Sequence, residues 1–441
     1  MTLALTGGTV VTSLSPPRVV AGDVSVDQHR VVAVGHAPSE GARRDCSGCL
    51  IVPGNVCAHT HLYSSLARGM PYSLAPPVNF LQILQRVWWR LDRALDEGSI
   101  RASALAGAAD ALLAGTTTVI DHHASPNAID GSLDVIADAL EEVGVRSVLS
   151  YEVTDRDGPQ RTRAGLAENG RFLETKRDLA RGMVGAHASF TLSAQTLEAC
   201  VGVARDHQTG IHIHLAEDDV DQRDALMRFG KRAAHRLEDA GALTAIDVAA
   251  HAVHLEPAEV ATVKYRGVAV VHNPRSNMNN SVGRAPLGLI GERGALGTDG
   301  IGGDMFAESQ AGYLRIREDE VRTPPQWSLD RLAEGARFTG RLFDEPALGL
   351  IEPGAPADLV VLDYAAPAPL TDAGLAGHWT FGLSAGRVRD VMVNGELVVA
   401  DGQLTRLEQI GIAAQAREAA DRLWRRVEET EPHPFEPEGG S

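Results

Sequence analysis

The sequence predicts an α/β fold in which a (β/α)8 TIM barrel carries a small β-sandwich domain built from both chain termini. Two observations lead to this fold class. Strand and helix patterns alternate through the middle of the chain, as they do in βα units around a parallel sheet. Short Val-rich segments with a period of two recur near both ends, which is typical of a small antiparallel β-unit.

Eight segments of the central region have the composition of buried strands, and eight is the number that closes a barrel. Most are followed by a helical pattern, and no glycine-rich dinucleotide or phosphate-loop signature follows any of them. A barrel therefore fits better than an open doubly wound sheet. The eight predicted strands are residues 56–61, 117–122, 146–151, 182–188, 210–215, 247–251, 268–272 and 295–299.

The Val-rich blocks near the two termini are expected to pair with each other. Residues 1–52 hold three short strand patterns split by Gly, Pro and Asp, and the segments ADLVVLD and VRDVMVNGELVV show the same alternation late in the chain. Within the second segment, Asn394-Gly395 is a strong two-residue hairpin signal. One small domain built from both ends of the chain follows.

These patterns also set the expected boundaries. The small domain should comprise residues 1–55 and 350–405, and the catalytic barrel residues 56–349. Residues 406–441 should form a C-terminal helix followed by a mobile, acidic, Pro/Gly-rich tail.

Composition excludes several classes of function. With 44% apolar and 22% charged residues, no apolar stretch approaches the ~20 residues needed to span a bilayer, and the first residues lack a secretory signal. We therefore expect a cytoplasmic protein without a membrane partner. The formal charge of −17 disfavours nucleic-acid binding. A small, weakly charged substrate and a homo-oligomer are expected, and four cysteines are too few for a disulfide framework.

A metal site is predicted from polar residues at strand ends. His59 and His61 project from the same face of the first strand, since side chains at i and i+2 share a face. His214 ends the fifth strand and Asp299 the eighth, at the barrel rim that holds active sites. Histidines at a strand end can also be polar residues bonded within the protein, but that alternative does not explain why such groups recur around one rim.

The expected ligands limit which metal ions can bind. Three imidazoles and one carboxylate suit Zn, Fe, Mn or Co and argue against Mg or Ca, which prefer all-oxygen ligands. Zinc is the default ion, with iron as an alternative. The fourth strand, which begins Gly182-Met183-Val184, contains no lysine that could bridge two metals, so one divalent transition metal is expected.

Two further residues are candidates for proton transfer. Glu217 lies three residues beyond His214, where it can reach a substrate without binding the metal, although the acidic run Glu217-Asp218-Asp219 could also be a solvated helix start. His251 ends the sixth strand and is expected to hydrogen-bond a water molecule bound to the metal. Asp299 is a catalytic candidate as well as a ligand.

Four residues of the rim are predicted to bind the substrate. His187 ends the fourth strand, His123 follows the second, and Asn277 belongs to the polar loop after the seventh. Arg68 is the one basic side chain that can be placed near the first rim loop.

The motifs resemble those of a known group of enzymes. PGNVCAHTH, HIHLAE, AHAVHL, HNPRSN and GTDG occur in this order, followed by GLIEPGAPADLVVLD. The set resembles the subgroup of the amidohydrolase superfamily that holds the guanine, methylthioadenosine/S-adenosylhomocysteine and triazine deaminases, over nearly the whole chain. HTHLYSSLARGM, DHHASP, HASFTLS and NPRSNMNNSVG are most similar to the SsnA-type aminohydrolases.

The resemblance implies a metal-dependent deaminase that replaces an amino group of a small nitrogen heterocycle by a carbonyl and releases ammonia. It implies that His59, His61, His214 and Asp299 bind the metal. Glu217 would protonate a ring nitrogen of the substrate, and Asp299 would accept the proton of the attacking water. A ring-amide hydrolase or a chlorohydrolase would use the same residues. A metal-binding barrel without activity is an alternative of a different class, although it would have no need of Glu217 and Asp299 together.

Overall fold

The computed structural model describes residues 2–36 and 41–438. Strands and helices alternate through the centre of the chain, and the ends are rich in strands. The strands are β1 (Leu3–Leu14), β2 (Pro17–Asp27), β3 (Arg30–Gly35), β4 (Ala42–Asp45), β5 (Leu50–Pro53), β6 (Asn55–Thr60), β7 (Thr116–His123), β8 (Arg146–Tyr151), β9 (Ala180–Gly182), β10 (Val184–Ala188), β11 (Ile211–Leu215), β12 (Val248–His251), β13 (Ala269–His272), β14 (Gly294–Leu296), β15 (Leu359–Leu362), β16 (Val388–Val393), β17 (Glu396–Ala400) and β18 (Gln403–Leu404).

Helices follow most of the central strands. Two short helical segments also belong to the site: a 3-10 helix (Leu62–Ala67) after β6 and a π-helix (Leu84–Trp88) that joins α1 to α2. The α-helices are α1 (Phe80–Ile83), α2 (Trp89–Ala94), α3 (Glu97–Leu113), α4 (Ser132–Val143), α5 (Pro159–Leu173), α6 (Ala194–Asp206), α7 (Asp219–Phe229), α8 (Ala233–Ala240), α9 (Pro257–Arg266), α10 (Pro274–Asn279), α11 (Leu287–Ile290), α12 (Met305–Arg317), α13 (Gln326–Phe343), α14 (Leu375–Gly382) and α15 (Gln409–Glu429).

The central strands form the predicted (β/α)8 barrel. Strands β6–β9 make one parallel sheet and β10–β14 a second. Isolated parallel bridges join the two sheets at both margins, Val153 with Ala186 and Thr60 with Asp299. Because β9 and β10 are two halves of the fourth predicted strand, the eight strands close a ring. Their carboxyl ends therefore meet at one rim.

The terminal strands form the predicted small domain from both ends of the chain. They are hydrogen-bonded in the order β18-β17-β16-β15-β5-β1-β2-β3, with β4 beside β1, and the antiparallel β5–β15 pair joins the two termini. Arg30 of β3 bridges to Pro356 just before β15, so the sheet curls around its own apolar core. The predicted hairpin is present, since Asn394 and Gly395 adopt positive φ angles of 50° and 78° between β16 and β17.

One buried ion pair fastens the small domain to the barrel. Arg146, the first residue of β8, donates from Nε and Nη2 to the carboxylate of Asp358, at 2.9 and 3.1 Å. Asp358 lies directly before β15 and also accepts the backbone N–H of Asn394. Both charged side chains are buried, so loss of either one would leave the other charge buried without its partner.

The C-terminal segment differs from the expected mobile tail. After α15, residues 430–438 pack against the barrel, and His433 is only 6% exposed. The rings of His433 and Phe435 lie 5.3 and 5.9 Å from that of Trp89, and Gln85 donates a hydrogen bond to the carbonyl of Phe435. Burial of these rings offsets the loss of chain freedom. Residues 439–441 lie outside the described part of the chain.

A search of the described residues for a helix both long and apolar enough to cross a membrane finds none.

Candidate active site

The four predicted metal ligands converge at the carboxyl ends of the barrel strands. His59 and His61 come from β6, His214 from β11, and Asp299 from the loop after β14. The Oδ1 atom of Asp299 lies 3.0 Å from Nε2 of His61 and 3.5 Å from Nε2 of His59. Nε2 of His214 lies 3.2 Å from Nε2 of His61. Four potential ligand atoms therefore surround one point.

Each of the three imidazoles is oriented by a hydrogen bond from its other nitrogen. Nδ1–H of His61 donates to the carbonyl of His122 at 2.6 Å, and Nδ1–H of His214 donates to that of His187 at 2.9 Å. Nδ1 of His59 lies 2.8 Å from a nitrogen of His212, and its Nε2 is buried without a hydrogen-bond partner. His59, His214 and Asp299, together with His251, form one set of side chains with metal-ligand spacing, and His61 and His214 belong to a second set. With Nδ1 engaged outward and Nε2 directed inward, the three imidazoles fit a divalent cation.

The backbone brings Asp299 into position by an unusual conformation. Its φ is +52°, in the left-handed region, and its N–H donates to the carbonyl of His59 at 3.1 Å. The carbonyl of Asp299 in turn accepts the N–H of His61. The hydroxyl of Ser276 donates to Oδ2, which leaves Oδ1 facing the histidines. Such backbone strain persists where surrounding structure enforces it, and it clusters at functional sites.

The electrostatics of the cluster favour positive charge beside Asp299. Burial lowers the pKa of His59 to about 3 and that of His214 well below its ordinary value, so both are neutral imidazoles. Burial acts in the same direction on His61, but contact with Asp299 outweighs it and raises the pKa of His61 to about 9. Burial acts to raise the pKa of Asp299, yet its contacts with His59 and His61 hold that pKa well below the usual range.

Glu217 and His251 lie beside the ligands as a pair. Oε2 of Glu217 is 3.6 Å from Nε2 of His251. Burial, and then the negative charge of Asp299, raise the pKa of Glu217 well above its ordinary value, which favours the protonated carboxyl. Nδ1–H of His251 donates to Oδ1 of Asn277 at 2.9 Å, which leaves Nε2 as an acceptor. The pair thus offers one acid and one base.

A pocket opens directly above these residues. One side is an apolar wall that includes the rings of Phe80, Trp88, Trp89 and Phe190. The other side carries carboxylates, since Glu152, Glu217, Asp218, Asp221 and Asp299 all line it. No Lys or Arg side chain of the described residues lines the pocket. Such a site suits a flat, uncharged or weakly basic molecule and disfavours anions.

Of the four residues predicted to bind substrate, the structure brings only His187 to the pocket. Asn277 is buried behind His251, and His123 is buried with its Nε2 bonded to Ser125 at 2.9 Å. Arg68 lies outside the pocket on the surface, where its guanidinium pairs with Asp110 at 2.8 Å. The structure therefore does not support substrate contacts by these three side chains.

Two features of the pocket escaped the sequence analysis. Glu152 directly follows β8 at the same rim as the ligands, and its place after a predicted strand was a usable signal. Most of the aromatic wall, Phe80, Trp88 and Trp89, comes from the helices at residues 80–94. Trp88-Trp89 was visible as a pair of large aromatic residues, but its direction depends on a π-helical turn that no periodicity predicts.

Comparison with known proteins identifies the family of this chain. A model of the amidohydrolase family matches residues 50–398. A 5'-deoxyadenosine deaminase of Methanopyrus kandleri is 30% identical over 384 residues, which cover 85% of this chain and 86% of the relative. A 5-methylthioadenosine/S-adenosylhomocysteine deaminase of Nitratidesulfovibrio vulgaris is 32% identical and is covered over 90% of its length, with 91% of this chain.

Among solved structures, the crystal structure of an adenosine deaminase from Xanthomonas campestris with bound zinc superimposes with a TM-score of 0.82. The match covers 96% of this chain and 98% of that one, at 24% sequence identity. The barrel with its small terminal domain is therefore a shared fold.

Proposed function

The chain belongs to the amidohydrolase family, and on that basis we propose that it is a metal-dependent hydrolytic deaminase. Its substrate is a small aminated nitrogen heterocycle. The reaction exchanges the amino group for a carbonyl: one water is consumed and one ammonia is released. The curated relatives described above are named as deaminases of adenosine derivatives, which supports a purine-type ring.

One observation carries the proposal: the carboxyl of Glu217 lies 3.6 Å from Nε2 of His251 and lines one pocket with His61, His214 and Asp299. Addition of water to an aromatic amidine carbon breaks the aromaticity, and a proton on the neighbouring ring nitrogen assists it because the ring can then accept the displaced electron pair. Hydrolysis of an ordinary amide makes no such demand. Burial raises the pKa of Glu217, which favours the protonated carboxyl that this step needs.

We assign the roles of the residues accordingly. His59, His61, His214 and Asp299 hold the metal, for which zinc is our proposal. When bound, a divalent cation supplies Lewis acidity, which lowers the pKa of water from 15.7 to about 7.

The proton transfers are assigned to this chain's own side chains. Asp299 accepts a proton from the attacking water and returns it to the departing amine. Nε2 of His251 accepts a hydrogen bond from the same water and keeps it in line. Glu217 donates its proton to the ring nitrogen next to the attacked carbon and regains one from the added hydroxyl as the carbonyl forms.

The test is an ammonia assay on metal-replete protein with purines, pyrimidines, pterins and triazines, including adenine, adenosine and 5'-deoxyadenosine. Ammonia release from at least one aminated ring supports the proposal. Release of chloride or of a carboxylic acid without ammonia would replace it by a chlorohydrolase or ring-amide hydrolase. Metal binding without turnover of any compound would favour an inactive barrel.

A further inference from the structure

Glu152 is a pocket carboxylate that has no role in the proposed metal site or in the proposed proton transfers. It directly follows β8, lines the pocket with His187, and is only 4% exposed. One of its oxygens lies within 4.8 Å of ring nitrogens of His61 and His214. Glu152 therefore lies in the part of the pocket next to His61 and His214.

A buried arginine fixes the orientation of this carboxylate. Nη1 of Arg156 donates to Oε1 of Glu152 at 2.9 Å, and the same guanidinium contacts Asp92 at 2.5 Å and Asp157 at 3.3 Å. Its central carbon also lies 5.1 Å from the ring centre of Trp89. Three carboxylates around one guanidinium leave negative charge in excess, so a further hydrogen-bond donor is favoured here.

The second oxygen, Oε2, is without such a donor among the described residues. Its nearest nitrogen is Nδ1 of His122, at 3.5 Å, and that nitrogen is itself buried without a hydrogen-bond partner. Since Glu152 lines the pocket, this oxygen is open to a hydrogen-bond donor of a bound ligand.

His187 presents a second acceptor next to Glu152. The hydroxyl of Thr191 donates to the carbonyl of Ala188, so it accepts Nδ1–H of His187, at 2.7 Å. This leaves Nε2 of His187 with a free lone pair, 3.9 Å from Oε1 of Glu152. Burial lowers the pKa of His187 well below its usual range, which is consistent with a neutral acceptor.

Glu152 also belongs to a second set of side chains with metal-ligand spacing, together with His61, His122 and His214. Arg156 argues against a cation there, because its guanidinium lies 2.9 Å from Oε1 of Glu152 and would repel a second positive charge. An N–H donor needs no second positive charge at that point.

We propose that Glu152, fixed by Arg156, is a specificity-determining residue that accepts a hydrogen bond from a ring N–H of the substrate. The substrate class is then an aminated heterocycle with an N–H on an edge other than the one that Glu217 protonates, and His187 accepts a second donor where the ring has one. This inference rests on the proposed deaminase function and specifies which edge of the substrate ring the enzyme recognises.

The test compares ammonia release from three matched pairs: adenine and 9-methyladenine, guanine and 9-methylguanine, and cytosine and 1-methylcytosine. In each pair the methyl group removes one ring N–H. Wild-type enzyme should favour the unmethylated member by about 10- to 100-fold in kcat/KM, the range expected for a hydrogen bond to a charged acceptor.

Glu152→Gln should abolish this preference. Arg156 needs an acceptor, so the amide oxygen should face Arg156 and the amide NH2 should face the pocket, where it opposes a ring N–H. We expect KM for the unmethylated bases to rise at least tenfold with an unchanged metal content. Glu259→Gln is the matched control, because Glu259 is also buried and bonded to an arginine, Arg232, but it does not line the pocket.

Several results would overturn the inference while the deaminase proposal stands. They are equal turnover of both members of each pair, ammonia release from nucleosides alone, or an unchanged KM in Glu152→Gln. Loss of metal in Glu152→Gln would make Glu152 a ligand and would also overturn it. Absence of ammonia from every ring in the wider assay would remove the proposed function and this inference together.

Discussion

His61 and Asp299 meet at 3.0 Å between Nε2 and Oδ1, although they follow the first and the last strands of the barrel. The contact exists only when the first and last strands are neighbours, so metal binding should require a closed barrel. His61→Ala should abolish both metal content and turnover, because it removes one of four ligands. Elemental analysis of wild-type protein should find about one equivalent of a transition metal.

The control for this change is His29→Ala, since His29 is exposed and bonded only to the carbonyl of Asn394. That variant should keep its metal. Two tightly held equivalents in the wild-type protein would contradict a single metal site.

Glu217→Gln should retain metal and lose activity by roughly 10²- to 10⁴-fold, because the amide keeps the shape of the side chain but cannot transfer a proton. Steady-state ammonia release together with elemental analysis measures both properties. Asp219→Asn, two residues further and exposed at the start of α7, is the neighbouring control and should behave like wild type. If Glu217→Gln lost its metal, Glu217 would be a ligand and not an acid.

Removing residues 431–441 should raise KM by roughly threefold to tenfold, because the aromatic contacts that His433 and Phe435 make with Trp89 are worth about 0.5–1.5 kcal/mol each. The metal content should not change. The control is removal of residues 439–441 alone, which keeps both rings. Identical kinetics of the two truncated proteins would show that the tail does not position the pocket wall.

Asp358→Ala should lower the free energy of unfolding by about 3–5 kcal/mol, because it leaves the buried guanidinium of Arg146 without its partner. Urea denaturation followed by circular dichroism measures the change. Asp372→Ala is the matched comparison, since Asp372 pairs with Arg18 at 3.1 Å on the surface, and it should cost at most about 1 kcal/mol. Equal effects would mean that the buried pair does not fasten the small domain.

The buried thiols should make the stability of the fold depend on pH. Burial raises the pKa of Cys57 from 9.0 to about 11 and that of Cys200 to about 12. A folded-state pKa above the unfolded value favours folding fully below pH 9, and this contribution is lost as the pH rises towards 12. The midpoint of urea unfolding should therefore fall between pH 8 and 10.5, and fall less in Cys200→Ala.

Burial of the two thiols also predicts that they are unreactive in the folded protein. At pH 8 the native protein should not react with a thiol reagent at Cys57 or Cys200, and both should react once the protein is unfolded. Fast labelling of either residue in the native protein would contradict the assigned burial.

The barrel strands were predictable because they are buried on both faces and appear as short continuous apolar runs. The convergence of His59, His61, His214 and Asp299 was predictable because each lies at or just beyond the carboxyl end of such a run. The direction in which each of two neighbouring histidines points was not predictable. His122 points towards His214, with ring centres 4.8 Å apart, while its neighbour His123 points away and packs near Tyr63. Spacing alone could not assign which of the two points towards His214.

The rest of the site depends on contacts between parts of the chain that are distant in sequence. Arg68 is directed by its partner Asp110 on α3, and no local pattern contains that pairing. Likewise, the tail has the composition of a mobile segment, yet Phe435 is held because Trp89 offers it an apolar surface. Composition describes the segment itself and not the surface on which it lies.

The antiparallel pairing of β5 with β15 has a consequence for biosynthesis. A chain leaves the ribosome from its N-terminus, so β5 emerges before the barrel and β15 after it. Residues 54–358 must be translated between them, which takes roughly 15–60 s at 5–20 residues per second. Throughout that interval the backbone groups of β5 that later pair with β15 are unpaired, and such edges are templates for association with other chains. Nascent chains that stop before β15 are therefore the form of this protein most exposed to aggregation and most dependent on chaperones.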